Sequence, residues 1–221
     1  MSAGDAAEAA REAQSKRAFE DAVRVIVTTF GVFTGAVIKS AIEKIEFPES
    51  SSLLAIFHIL TNWHLYICLA TVALLLRFII GSAVHLNLCY VVEPRSKMPV
   101  MLFKDIAFLI VFGLIAVSRV NAAGVKATDA SGFATRAAWF IAAGILWSIV
   151  DGVGRMGRDG AEKTLASPWW ITIDVFQLVL GVGVFLVTKD PLWQSMALAL
   201  IFWVALYLDM RTVLLPRRAK G

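Results

Sequence analysis

The feature that most constrains this chain is an apolar stretch of forty residues, from Leu53 to Val92. Its one permanently charged side chain is Arg77, in the middle of the sequence LATVALLLRFIIGSAVHL. An apolar run of this length is typical of membrane-spanning helices. A guanidinium stays charged at any ordinary pH and costs about 2.5–3.5 kcal/mol at the centre of a bilayer. We therefore expect Arg77 to face protein or water and to have an acidic partner.

Composition extends the membrane assignment to the whole chain. Of the 221 residues, 58% are hydrophobic and 17% are charged, whereas soluble domains have roughly 25% charged residues. The mean hydropathy is +0.73. The sequence therefore predicts an all-α integral membrane protein without a folded soluble domain. The net charge of +4 comes without a cluster of basic and aromatic residues, so no nucleic-acid partner is predicted.

The apolar runs predict six membrane-spanning helices and one short interfacial helix. A single helix of forty residues would be about 60 Å long, twice the hydrocarbon thickness, so the long run must be divided. The segment Asn62-Trp63-His64 is the natural break, and the residues before it, 53–60, are predicted to form the interfacial helix. The predicted spans are residues 23–42, 64–90, 100–117, 136–153, 168–188 and 191–215.

Local signals define the ends of several predicted segments. Residues 167–168 and 190–191 each combine an N-cap residue with proline at the first helical position. Residues 1–22 are rich in alanine, the best helix former, and are predicted to form an N-terminal cytoplasmic helix. Residues 123–132 are small and predict a flexible loop, and residues 217–221 form a basic tail.

The distribution of lysine and arginine predicts an orientation. With six spans, fourteen of the 21 basic residues belong to the side that holds both termini, six belong to the opposite side, and Arg77 is the remaining one. Basic loops stay in the cytoplasm, so both termini are predicted to be cytoplasmic. On the assumption of a bacterial source, the predicted location is the inner membrane.

Small residues follow one face of the first predicted span. Gly31 and Gly35 are four residues apart, and Ala36 and Ser40 continue the pattern. A face of this kind lets another helix approach closely. The sequence leaves open whether that helix belongs to the same chain or to another copy. Besides the lipid bilayer, we expect a homo-oligomer, and a protein partner at the cytoplasmic face remains an alternative.

Acidic residues within the predicted spans all fall in the cytoplasmic half. Counting from the span ends places four aspartates and one histidine, from five helices, at similar depth. Ionisable residues inside a membrane are rare and usually belong to a functional site or a structural pair. The members of this predicted acidic layer are His85, Asp105, Asp151, Asp174 and Asp209.

Helical spacing relates two of these residues to further candidates. Arg77 and His85 are eight residues apart and therefore share one stripe of their helix. Asp174 and Gln177 share a stripe three spans later. We expect Asp174 and Asp209 to be the best partners of Arg77, because both are placed deeper than the other aspartates.

Two interpretations of the acidic residues stay open at this point. Asp105 and Asp151 are close enough to the span ends to be interfacial, paired with the adjacent Lys104 and with Arg155, respectively. Asp174 and Asp209 are expected either to line a polar cavity or pore vestibule, or to form a structural pair with Arg77 or His85.

The favoured function is an oligomeric ion-conducting channel or pore with an acidic layer on its cytoplasmic side. A small proton-coupled transporter is the first alternative, with coupling through the deep carboxylates. A membrane-embedded lipid-modifying enzyme and a non-catalytic membrane partner protein are the others, and the sequence favours a protein that is not an enzyme. No catalytic residue and no cofactor is predicted. A metal site is left undecided, because carboxylates with one histidine suit Mg²⁺, Mn²⁺ or Zn²⁺ but no metal-binding spacing is present.

Overall fold

The computed structural model describes residues 3–43, 53–87, 90, 98–115, 130–156 and 167–214. All regular structure within these ranges is α-helical, and they contain no strand. The helices are α1 (Ala3–Ile42), α2 (Leu53–Leu60), α3 (Trp63–Asn87), α4 (Met98–Ile115), α5 (Ala130–Met156), α6 (Ser167–Val187) and α7 (Pro191–Leu214).

Five helices in the described part of the chain are long and apolar enough to cross a membrane. This finding confirms the predicted all-α architecture and the membrane-compatible helices, while the count of six spans remains a prediction. Helix α4 corresponds to the predicted third span and is not among the five. Their apolar segments are Glu20–Ser40, Trp63–Asn87, Gly132–Val150, Trp169–Val187 and Pro191–Arg211.

The long apolar run divides at the predicted break. Helix α2 ends at Leu60 and helix α3 begins at Trp63. The side-chain Oδ1 of Asn62 accepts a hydrogen bond of 3.0 Å from the backbone N–H of His64. Asparagine is a favoured N-cap residue because its side chain satisfies one of the free N–H groups at a helix start. The break therefore has a local cause in the sequence.

Two helices extend beyond their predicted limits. The N-terminal helix and the first span form one continuous helix of 40 residues, α1. Residues 5–30 contain neither glycine nor proline, so nothing in the backbone interrupts it. Helix α5 begins at Ala130, six residues before the predicted start of the fourth span. The end of the predicted loop 123–132 is thus helical, because this segment has no proline and a single glycine is tolerated near a helix start.

Helix α3 lies at the centre of the fold. It packs most extensively against α7 and also against α1, while α6 packs against both α5 and α7. Ala70 and Ala73 of α3 are fully buried, and their small size permits close helix contact. Aromatic rings fill the interior beside them, with the centroid of Phe78 at 4.6 Å from that of Phe112 and 5.2 Å from that of Phe140.

The start of α7 allows a test of helix capping. Oδ1 of Asp190 accepts hydrogen bonds from the backbone N–H groups of Leu192 at 2.8 Å and Trp193 at 3.3 Å. We expect Asp190→Ala to lower the free energy of unfolding by about 1 kcal/mol, because these donors lose their acceptor. Asp190→Asn should retain most of the stability, since asparagine caps equally well. Chemical unfolding in detergent measures both, and equal losses in the two variants would contradict the capping role.

Candidate functional site

Arg77 is enclosed by acceptors from two other helices. Its Nη1 contacts Oδ1 of Asp174 on α6, and its Nε contacts Oδ2 of Asp209 on α7. Nη1 also donates a hydrogen bond of 2.6 Å to Oε1 of Gln177. The side chains of Arg77 and both aspartates are about 10% exposed or less. The predicted acidic partners of Arg77 are confirmed, and these four residues are called the Arg77 cluster below.

The secondary structure explains why these four side chains meet. Asp174 and Gln177 are three residues apart on α6 and therefore lie on one helix face. Helix α3 packs against α7, and α6 packs against α7 in turn, so all three helices border the same interior region. A guanidinium carries several N–H donors in one plane and can therefore bind acceptors from two directions at once.

The charges of the Arg77 cluster do not balance when both carboxylates are ionised. One guanidinium then faces two carboxylates, which leaves one excess negative charge in a buried position. An uncompensated buried charge is strongly unfavourable. The arrangement can therefore bind a proton or a small monovalent cation, and release of that ion requires access to water.

A cavity of about 70 Å³ adjoins the cluster. This volume is sufficient for several water molecules, and polar groups on its wall supply hydrogen-bond partners. Gly144 contributes to the space, because a Cβ at this position would lie 3.5 Å from Oδ2 of Asp174. The cavity is lined by Leu74, Arg77, Phe78, Gly81, Ser82, Phe112, Phe140, Ile141, Gly144, Trp147, Ser148, Trp170, Asp174 and Asp209.

A second buried carboxylate forms a separate group, the Asp105 cluster. The side-chain O–H of Tyr90 donates to Oδ2 of Asp105 at 2.6 Å, and Nε1 of Trp147 donates to Oδ1 at 3.2 Å. Nζ of Lys104 lies 3.2 Å from Oδ1, and Nε2 of His85 lies 3.4 Å from Oδ2. Asp105 itself is only 1% exposed. Both carboxylate oxygens are thus held by surrounding side chains.

The predicted single acidic layer consists of two clusters. The expected contact between Lys104 and Asp105 is present, but Asp105 is enclosed in protein rather than interfacial. His85 pairs with Asp105 and not with the carboxylates around Arg77. The sequence search looked for charged partners, whereas neutral aromatic donors, Tyr90 and Trp147, hold this carboxylate.

The remaining predicted residues do not join either cluster. The side chain of Asp151 lies outside the described residues, as does that of Arg155. Gly31 and Gly35 occupy an exposed face of α1, and a Cβ at either position would meet no described atom within 4 Å. Their predicted close contact is therefore not made within the described part of this chain.

The described residues do not offer a metal site of ordinary composition, because they contain no group of three or more histidine, cysteine, aspartate or glutamate side chains able to hold one ion. Comparisons with known protein families, with characterised proteins and with solved structures find no match for this chain. The chemistry of the candidate site is therefore argued from its own geometry.

Replacement of Arg77 tests the pairing directly. Arg77→Leu leaves two buried carboxylates without their cation, and breaking such a pair from one side typically costs about 3–5 kcal/mol. We expect a loss of this size in chemical unfolding experiments in detergent. Adding Asp174→Asn and Asp209→Asn to Arg77→Leu should restore much of the stability, because it removes the unpaired charges. A single variant as stable as the wild type would show that the carboxylates do not depend on Arg77.

Proposed function

We propose that this chain is a membrane transport protein that moves protons or small monovalent cations through the Arg77 cluster. The observation that carries the proposal is the unequal charge of the cluster beside a cavity of about 70 Å³. A buried site with one excess carboxylate gains an ion without leaving a net charge in the interior. Water in the adjacent cavity would supply the polar path that such an ion needs.

A proton-coupled carrier suits this geometry better than a freely conducting pore. The carboxylates of Asp174 and Asp209 are held by Arg77 inside one chain, instead of lining a wide acidic mouth. A small cavity with aromatic walls favours ion binding in discrete steps. Asp174 lies seven residues after Ser167, or about 10 Å along α6, which leaves it well inside a hydrocarbon core of about 30 Å.

The proposed topology has six spans, with α4 as the third, and both termini in the cytoplasm of a bacterium. It is supported by the excess of lysine and arginine on the side of the termini. With this topology, the start of α6 faces the cytoplasm, and the Arg77 cluster lies in the cytoplasmic half of the membrane.

Ion flux in proteoliposomes tests the role of the carboxylates. With a pH-sensitive dye inside the vesicles, we expect Asp174→Asn and Asp209→Asn each to reduce proton uptake at least about tenfold, because each removes the excess negative charge. Asp190→Asn is the matched control, since it makes the same chemical change at an exposed helix cap. Wild-type flux in folded Asp174→Asn and Asp209→Asn proteins would refute the proposal.

An oligomeric channel is the second candidate, and one specific observation favours it. The Gly31 and Gly35 face of α1 is exposed, and the large side chains of Val32 and Phe33 beside it are also 50% exposed or more. Close packing of small residues is a common way for membrane helices to associate. A second copy seated on this face would place a helix pair between two subunits.

Bulky substitutions on this face test the oligomer. We expect Gly31→Leu and Gly35→Leu to shift the protein towards monomer in detergent, because the added side chains prevent close approach of the backbones. Gly183→Leu is a matched control, since a Cβ at Gly183 likewise meets no described atom within 4 Å. Light scattering coupled to size-exclusion chromatography measures the mass. An unchanged oligomer in both α1 variants would contradict this contact.

A further inference from the structure

A large apolar groove lies between α5, α6 and α7, on the far side of Gln177 from Arg77. Its volume is about 550 Å³, within the range of roughly 300–1,000 Å³ that small-molecule sites occupy. Ala134, Ala138 and Ala142 follow one stripe of α5 and leave the space open. Trp139 and Phe185 supply aromatic surface at its wall.

Gln177 gives this groove a polar group. Its Oε1 accepts the hydrogen bond from Arg77, which directs the opposite end of the amide away from the cluster. Its Nε2 is buried and has no hydrogen-bond partner among the described residues. The residue is 1% exposed and contributes to the groove wall. A buried donor without an acceptor is unusual in a folded protein and indicates a missing partner.

The depth of Gln177 limits what that partner is. It lies ten residues after Ser167, about 15 Å along α6 and close to the middle of a hydrocarbon core of about 30 Å. The ester oxygens of phospholipids stay near the membrane surface, so a phospholipid chain brings only hydrocarbon to this depth. The missing acceptor must belong to a molecule that carries oxygen into the apolar interior.

We propose that the α5–α6–α7 groove binds a lipophilic quinone, whose carbonyl oxygen accepts a hydrogen bond from Nε2 of Gln177. A quinone ring is flat and has acceptors but no donors, which fits a single amide N–H among aromatic and aliphatic side chains. Its hydrocarbon tail suits the remaining apolar wall. This site is independent of the transport proposal, although Gln177 connects the groove to Arg77 through its other end.

Tryptophan fluorescence provides the test, because quinones quench an indole that they contact. The full-length protein in lipid nanodiscs is titrated with a decyl-substituted benzoquinone at fixed lipid content. We expect a saturable component of quenching, and Trp139→Phe should remove it, since Trp139 lines the groove. Quenching that rises linearly without saturation would show collision in the lipid only and would overturn the proposal.

Two variants separate the groove from the hydrogen bond. Ala138→Leu fills the groove and leaves Gln177 in place, so we expect saturable quenching to weaken at least about tenfold. Gln177→Met removes the donor and should weaken it by about threefold to tenfold, the usual effect of one hydrogen bond. Ala107→Leu is the matched control, because Ala107 is exposed on α4 outside the groove. Wild-type affinity in Ala138→Leu would refute the site even if Gln177→Met fails to fold.

Competition with decylbenzene distinguishes a quinone from an ordinary hydrocarbon chain. This compound has a similar ring and tail but no carbonyl oxygen. We expect it to displace the quinone weakly and to bind equally to the wild type and Gln177→Met. Displacement as effective as by unlabelled quinone would show that the groove takes acyl chains without using Gln177, and would overturn the proposal.

Discussion

The buried charge of Arg77 is the constraint on which the interior of this protein depends. The guanidinium is held by Asp174 and Gln177 of α6 and by Asp209 of α7. Because α3 carries the cation and two other helices carry the acceptors, the relative positions of the three helices must keep these atoms together. Apolar contacts bury most of the area, but they tolerate small shifts that a buried ion pair does not. The pair therefore determines the register between these helices.

The sequence predicted most helix limits and the partners of Arg77, because both follow from local or one-dimensional rules. Asn62 and Asp190 mark helix starts through their own side chains, and a buried cation requires anions at a similar depth. The surroundings of Asp105 were not predictable in this way. They depend on how Tyr90 and Trp147 are brought towards α4, which is a property of helix packing and leaves no periodic pattern in the chain. The continuity of α1 was missed because a change in polarity was taken for a change in structure.

Trp147 connects the two buried clusters. Its indole N–H donates to Asp105, and its ring lies 4.9 Å from that of His85, while the same side chain lines the cavity beside Arg77. A movement of α5 would therefore alter the donor of one carboxylate and the shape of the other carboxylate's water space together. Two sites that look separate by charge are thus coupled through one rigid aromatic side chain.

The uninterrupted α1 has a mechanical consequence. Its membrane-compatible segment begins at Glu20, so the residues from Ala3 onwards continue the same rod for about 25 Å beyond it. A helix without proline bends little, and a push at the tip is transmitted along its axis instead of being absorbed at a hinge. Because α1 packs against α3, the tip acts as a lever arm on the helix that carries Arg77.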